Sequence, residues 1–251
     1  MRYLSSLFKA LLLSCSLLLL WQAAIVLFDL PHYMLPKPLE VMTKLHSHAE
    51  LLWNHSQITL LEILLGLILG FILGLFSALL LSLSRWLSSL LLPLLIISQA
   101  IPVFAIAPLL VLWFGYGMAS KIAMTILIIY FPVTAACYDG LRNTPKTWLE
   151  LAKTMNATPL QLLFRVRLPA ALPSLALGLR IAVTIAPIGA VIGEWVGSNQ
   201  GLGYLMLQAN AHMQVDLMFA ALFVLMLMTL LFFFVTDKLL RRYLPWVDQL
   251  R

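Results

Sequence analysis

The stretch that decides the fold is Thr144 to Pro169, TPKTWLELAKTMNATPLQLLFRVRLP, a polar segment between long apolar ones. Thr144–Pro145 and Thr158–Pro159 each combine a capping threonine with a proline at the first helical position, which predicts two short helices. Asn156 lies where the first helix should stop, because asparagine tolerates the left-handed backbone of a helix C-cap. The stretch therefore predicts a helix, a tight turn and a second helix.

The first of these helices carries one apolar face. Its members recur at helical spacings: Trp148, Leu149, Ala152 and Met155. The charged residues fall on other sides: Lys146, Glu150 and Lys153. An apolar face on a loop between membrane segments predicts a docking surface for another protein. The alternative is an amphipathic hairpin that lies on the membrane surface.

Several positions of this loop resemble the EAA loop of the permease subunits of bacterial ABC importers. The matching positions are Glu150, Ala152, the turn at residue 156, Leu168 and Pro169. Two positions depart from the family pattern: Leu151 stands where alanine is usual, and Asn156 where glycine is usual. Asparagine preserves the backbone geometry of the turn.

In the family it resembles, the loop supplies a coupling helix that inserts into a groove of the ATP-hydrolysing subunit. The resemblance implies that Glu150 anchors or orients this helix. It also implies that Leu149, Ala152 and Met155 form the docking surface, with Asn156 in the turn, and that Pro169 ends the loop.

The composition is that of a membrane protein. Of 251 residues, 62% are hydrophobic and only 10% are charged, with a mean hydropathy of +0.98. A soluble core of this length cannot bury so much apolar surface, so lipid must cover it. The net charge of +6 is therefore interpreted through membrane topology and not as nucleic-acid binding.

The predicted fold is an all-α polytopic membrane protein, a single transmembrane domain over residues 1–251 with a cytoplasmic coupling loop at 144–169. Six spans are predicted, at about 10–28, 58–83, 88–114, 122–138, 175–196 and 217–236. The first apolar run could also be a signal peptide, since Leu13 to Cys15 faintly resembles a lipoprotein cleavage site. The run continues well past Cys15, which favours a span of about 20 residues.

The second predicted span contains Gly66, Gly70 and Gly74 at four-residue intervals. This spacing leaves one helix face bare, so the three glycines predict close packing against a neighbouring helix. Glu62 lies near the start of the same span. It either reaches the membrane interface or is a functional intramembrane acid.

The third predicted span is interrupted by prolines, at positions 93, 102 and 108, and should be kinked or broken. Broken helices at membrane depth often line a cavity. We therefore expect Ser98, Gln99 and Pro102 in the translocation pathway. Glu194, near the end of the fifth predicted span, is a further candidate for this pathway.

The distribution of cations predicts the orientation. With six spans and both termini in the cytoplasm, 13 of the 16 lysines and arginines lie inside, and only Lys37, Lys44 and Lys121 lie outside. The 13 are Arg2, Lys9, Arg85, Arg142, Lys146, Lys153, Arg165, Arg167, Arg180, Lys238, Arg241, Arg242 and Arg251. This orientation places the Thr144 to Pro169 loop on the side where ATP is available.

Enzyme activity is not expected. The nearest approach to a phosphate-binding GxxxxGK[ST] loop, Gly115 to Lys121, lacks the glycine before its lysine. An intramembrane metalloprotease needs paired histidines within a span, whereas all five histidines fall outside the predicted spans. Cys15 and Cys137 lie far apart in apolar runs, so neither a disulfide nor a metal site is predicted. A solitary carrier is the other alternative, but no internal repeat is evident.

Resemblance also extends along most of the chain, from about residue 36 to 246. PLLVLWFGYG at 108–117 and GEWVGSNQGLGYLM at 193–206 resemble importers of nitrate, sulfonate, taurine and thiamine precursors. SQAIPVF at 98–104 and RRYLPW at 241–246 look most like permeases for hydroxymethylpyrimidine-type thiamine precursors, with sulfonate or taurine, nitrate and riboflavin as alternatives. The family implies a homodimer in a bacterial inner membrane, two copies of a separate ATPase, an external binding protein that is periplasmic or lipid-anchored, and no directly bound cofactor.

Overall fold

A computed structural model describes residues 2–247, which contain helices, turns and irregular segments but no strand. The helices are α1 Arg2–Leu27, α2 Pro38–Ser47, α3 Ala49–Leu83, α4 Arg85–Ser98, α5 Val103–Phe114, α6 Met118–Arg142, α7 Lys146–Thr154, α8 Pro159–Leu162, α9 Leu168–Gly197, α10 Leu202–Ala211 and α11 Val215–Tyr243. A π-helical turn, Leu163–Arg167, joins α8 to α9. The all-α fold class is as predicted.

Helix α6 lies at the centre of the bundle, between α3 and α9. The glycines of α3 face it: a Cβ on Gly66 would lie 2.5 Å from the Cβ of Thr125, and one on Gly70 would lie 2.6 Å from Ile129. Gly74 faces Val133 in the same way. Because real Cβ atoms do not approach so closely, the absence of side chains is what lets the two helices pack at this distance.

Helix α9 approaches the other side of α6 through glycines of its own. A Cβ on Gly189 would lie 2.6 Å from the Cα of Thr125, and one on Gly178 would lie 2.5 Å from the Cβ of Ala136. Buried aliphatic side chains fill the space between these contacts, including Ile63, Ile129 and Val133. Cys137 is buried among them, whereas Cys15 is exposed.

The proline-rich segment is broken, as predicted. α4 and α5 meet at a bend of 100°, with Gln99 to Pro102 between them. Pro93 and Pro108 lie inside the two helices, and Pro102 directly precedes α5.

Four helical stretches are long and apolar enough to cross a membrane, and the bent α4–α5 pair makes up to five. The four are Ala49–Leu83, Met118–Arg142, Pro159–Gly197 and Val215–Tyr243. In α1 the stretch Cys15–Leu27 is apolar but shorter. A sixth span, formed by α1, therefore remains a prediction. The predicted start of the second span at residue 58 falls inside α3, which extends back to Ala49.

Polar contacts attach the remaining helices to this centre. Asp237 on α11 pairs with Arg180 on α9, and its second oxygen lies 2.7 Å from the Nε of Arg241. At the other end of α11, Asp216 lies 3.4 Å from the Nζ of Lys44 on α2.

Candidate functional site

The Thr144 to Pro169 loop forms two short helices, but only the second begins as predicted. Thr158 accepts a hydrogen bond from Gln161 N–H, and the Gln161 side chain accepts one from Thr158 N–H at 2.9 Å. Thr144 does not cap α7. Its hydroxyl donates to the carbonyl oxygen of Leu141 at 3.0 Å, and Pro145 takes the N-cap position. Because the hydroxyl is oriented towards the preceding helix, its oxygen accepts no N–H group of α7.

The turn after α7 is left-handed at Asn156, whose φ is +57°. The N–H of Ala157 donates to the carbonyl of Ala152 at 3.0 Å, and that of Asn156 to Lys153 at 2.9 Å. These two bonds form a Schellman motif, which satisfies carbonyls at the end of α7. Asn156 therefore has the left-handed backbone that was predicted for this position.

Asn156→Gly is expected to leave stability nearly unchanged, because glycine adopts a φ of +57° freely. Asn156→Val should lower the free energy of unfolding by about 1–2 kcal/mol, since a β-branched residue resists positive φ. Asn156 is exposed, so neither variant meets a steric clash. Thermal unfolding of the two purified variants in the same detergent measures the difference. Equal midpoints would contradict a strained turn.

Helix α7 and its C-cap residue expose three large apolar side chains: Trp148 at 54%, Leu151 at 62% and the C-cap Met155 at 76%. Glu150 is exposed beside them, and Leu149 is half-buried. Ala152 is only 9% exposed, but it lines the groove beside α7, so its place in the docking surface stays a prediction. Leu151 was missed as a member of that face, although residues 148, 151 and 155 follow the i, i+3, i+7 pattern of one helix face.

A groove of about 620 Å³ runs beside these side chains. Trp148, Leu151 and Met155 form one wall, and Pro169 lies on another. Trp246 reaches the groove from the end of the chain, because Leu244 and Val247 are buried and Leu244 packs near Ala176. An apolar groove with exposed aromatic rims is suited to contact with another protein.

A cluster of buried charges lies at the opposite end of the bundle, where α6 begins and α9 ends. Glu62 and Glu194 are 0% exposed and Lys121 is 4% exposed. The Nζ of Lys121 lies 2.5 Å from Glu62 Oε1 and donates to the hydroxyl of Ser198 at 2.9 Å. The cluster thus joins α3 to α6 through a buried ion pair, and Lys121 also reaches the partly exposed Ser198 at the end of α9.

Glu194 also holds α10 in place. One carboxylate oxygen accepts the Thr59 hydroxyl at 2.6 Å, and the other accepts the backbone N–H groups of Gly203 and Tyr204. Thr59 accepts the N–H of Leu202 at 2.8 Å. The first N–H groups of a helix have no partner within the helix, so α3 and α9 supply the cap of α10 from outside.

His55 contributes to the same cap. Its Nδ1 accepts the N–H of Gly201 at 3.0 Å, and its ring stacks on that of Tyr204 with centroids 6.2 Å apart. His55 lies within α3, one turn before Thr59 and just before the predicted start of the second span at residue 58. Among the described residues no group of three or more histidine, cysteine, aspartate or glutamate side chains could hold a metal ion.

Glu194→Leu should release the start of α10. The loss of a charged acceptor for two N–H groups should lower the free energy of opening the start of α10 by about 1.5–3 kcal/mol. Amide exchange at residues 202–204 should therefore become roughly tenfold faster or more. Glu194→Gln keeps one carbonyl acceptor and should have a smaller effect. Hydrogen–deuterium exchange with mass spectrometry measures both variants. Unchanged exchange in Glu194→Leu would show that α10 is held by other contacts.

The four residues predicted for the translocation pathway do not form one site. Ser98, Gln99 and Pro102 lie together at the α4–α5 bend and are exposed. Glu194 is wholly buried in hydrogen bonds, so it does not face an open pathway in this conformation. Its position identifies it as a structural acceptor for α10. Glu62 likewise does not reach the membrane interface, because Lys121 pairs with it inside the bundle.

Comparison with known proteins identifies the family. The family described as "Binding-protein-dependent transport system inner membrane component" matches residues 66–249, a range that includes the whole Thr144 to Pro169 loop. The chain belongs to this family. Its members are permease subunits of ABC transporters, so this permease is not itself an enzyme, and ATP is used by a separate ATPase subunit.

Three relatives cover nearly the whole permease. A Haemophilus influenzae protein named "Probable ABC transporter permease protein" is 67% identical over 95% of this chain and 97% of its own. The formylaminopyrimidine transport permease ThiX of Halalkalibacterium halodurans is 41% identical over 92% of each chain. The riboflavin transport permease RibX of Chloroflexus aurantiacus is 42% identical over 92% of this chain and 87% of its own.

A solved structure shares the fold. The permease resembles a chain of the MetNI methionine ABC transporter in an inward-facing conformation, with a TM-score of 0.66 and 23% identity. The match covers 78% of this chain and 97% of the other.

Proposed function

We propose that this permease forms the translocation pathway of an ATP-driven importer for a thiamine pyrimidine precursor. The observation that carries the importer assignment is the α7 face, where Trp148, Leu151 and Met155 are exposed beside a groove on a loop between two membrane helices. If the ATPase docks there, the closing movement of its subunits would be transmitted directly to α6 and α9, the helices on either side of the loop. Glu150, Leu149 and the Asn156 turn would orient this coupling helix.

The orientation follows from the cations. With the loop and both termini in the cytoplasm, the coupling face meets the ATPase, and the α10 end of the bundle faces the external binding protein. Two copies of the permease would enclose the pathway. The surface that supports this arrangement is the α4–α5 bend, which leaves Leu94, Ile97 and Phe104 exposed within an apolar segment.

The pathway segment favours an uncharged solute. Residues 86–120, which include Ser98, Gln99 and Pro102, contain no lysine, arginine, aspartate or glutamate. Transport of a sulfonate or nitrate anion through the membrane would call for cationic or strongly polar groups along the path. A planar nitrogen heterocycle needs only hydrogen-bonding amides and hydroxyls, which Ser98 and Gln99 supply.

Two heterocycles are supported by the relatives. ThiX matches this chain over an equal share of both proteins, which supports a pyrimidine such as formylaminopyrimidine or hydroxymethylpyrimidine. RibX is similar to the same degree, and riboflavin is therefore the second candidate.

Uptake into cells tests the proposal. The permease is produced with its ATPase and binding protein in a strain without other pyrimidine or riboflavin uptake, and labelled hydroxymethylpyrimidine, formylaminopyrimidine, riboflavin and taurine are supplied separately. We expect pyrimidine uptake at least about tenfold above a control with an ATPase that cannot hydrolyse ATP. Uptake of riboflavin alone would support the second candidate, and uptake of taurine alone would overturn the heterocycle assignment.

A further inference from the structure

A second cavity, of about 700 Å³, lies where α3, α4 and α6 end or begin and the π-helical turn passes. It is distinct from the groove beside α7. Ser82, Ser88 and Ser89 line it together with Tyr138, and two cations, Arg142 and Arg167, complete the polar side. Among the residues that the structure describes, no aspartate or glutamate lines this cavity.

The two arginines lack partners of opposite charge. Neither forms an ion pair or a side-chain hydrogen bond with any of residues 2–247. The Nε–H of Arg167 is buried without an acceptor. A buried guanidinium N–H without an acceptor is destabilising, because burial removes its hydrogen bond to water and no protein group replaces it. The cavity therefore holds donors and positive charge that the protein itself does not neutralise.

The chemistry of these groups selects an anion with several acceptor oxygens. Guanidinium groups bind phosphate through paired N–H donors, and the Tyr138 hydroxyl can add a single donor. The hydroxyls of Ser82 and Ser89 already donate to the backbone carbonyls of Leu79 and Trp86, so these serines make the wall polar but supply no free donor. Helix α4 also begins beside the cavity, so the positive end of its dipole lies there. The two guanidinium groups come from separate segments, α6 and the π-helical turn, and together they offer more N–H donors than one carboxylate can accept. These donors therefore match a phosphate group better than a carboxylate.

The position of the cavity indicates the source of the phosphate. Apolar helices α3 and α6 end there, at Leu83 and Arg142, so the cavity lies at the level where the membrane core gives way to headgroups. The side chains of Leu81, Leu92 and Leu141 line its apolar side, where an acyl chain can lie. Basic pockets between membrane helices at this depth suit anionic lipid headgroups.

We propose that this cavity binds the phosphate of an anionic phospholipid headgroup, held by Arg142 and Arg167. The site is independent of the transported solute. Because Arg167 lies in the turn that joins the coupling loop to α9, a bound headgroup would fix the end of that loop to the membrane.

Native mass spectrometry of the purified permease tests this site, with dioleoylphosphatidylglycerol and dioleoylphosphatidylcholine as paired probes and sn-glycerol 3-phosphate as a soluble phosphate. The wild-type protein should bind phosphatidylglycerol at least about tenfold more tightly than phosphatidylcholine. Equally tight binding of glycerol phosphate would assign the phosphate site to a soluble ligand and overturn the lipid source. Absence of any preference for phosphatidylglycerol and of glycerol phosphate binding would overturn the site itself.

Variants locate the binding to the cavity. Arg142→Gln with Arg167→Gln should abolish the preference for phosphatidylglycerol. Arg242→Gln, an exposed cation at the end of α11 outside this cavity, should retain it. Equal loss in the control variant would attribute the preference to general surface charge and overturn the proposal. The wild-type titration decides the outcome even if the double variant does not fold.

Discussion

Lys121→Met is expected to lower the free energy of unfolding by about 3–5 kcal/mol, the largest effect of any substitution considered. The Lys121 ammonium lies 2.5 Å from the Glu62 carboxylate, which is 0% exposed. The substitution removes this ammonium and leaves the buried carboxylate without a cation. It also removes the donor to Ser198, which lies just after α9. Methionine fills a similar volume, so the loss reflects the unpaired charge and not a cavity. Unfolding by denaturant in a fixed detergent measures the change.

Two comparisons separate the charge effect from packing. Adding Glu62→Gln to Lys121→Met removes the stranded charge and should recover at least half of the lost stability. Lys44→Met breaks the more exposed pair with Asp216, at 3.4 Å, and should cost no more than about 1 kcal/mol. If Lys121→Met and Lys44→Met cost the same, the buried pair does not stabilise the bundle.

Leu151→Glu is expected to reduce association with the ATPase subunit by at least about thirtyfold and to reduce uptake in proportion. Leu151 is 62% exposed at the centre of the α7 face, and the docking of a partner would desolvate a glutamate placed there. Glu150→Lys reverses the charge beside it and should act in the same direction. Co-purification of the ATPase in mild detergent measures association.

The matched control lies on the same helix. Lys146→Ala removes an exposed charged side chain at the start of α7 that does not line the groove, and it should retain the ATPase. Full recovery of ATPase with Leu151→Glu, in a permease that inserts normally, would exclude the α7 face from docking. Loss with both variants would indicate that α7 itself had unfolded. Far-ultraviolet circular dichroism and thermal unfolding of each variant test that possibility.

Local sequence signals predicted local structure well where no other helix competes. Thr158 caps α8 and Asn156 turns left-handed, since both depend on backbone groups within a few residues. The break near Pro102 follows from proline chemistry alone. Thr144 does not cap α7, because its hydroxyl is directed at the Leu141 carbonyl of the preceding helix and Pro145 takes the N-cap position.

By itself, therefore, the sequence determined the membrane class, the helical loop, the broken α4–α5 segment and the bare glycine faces, all of which depend on composition or short-range spacing. Only the tertiary structure decided that Lys121 meets Glu62, that Glu194 caps α10 together with Thr59, and that Arg142 and Arg167 share a cavity. Thr59 and Glu194 are 135 residues apart in the chain. Contacts at such separations exist only after glycine-mediated packing has set the distance and rotation between helices, and no local pattern encodes that geometry.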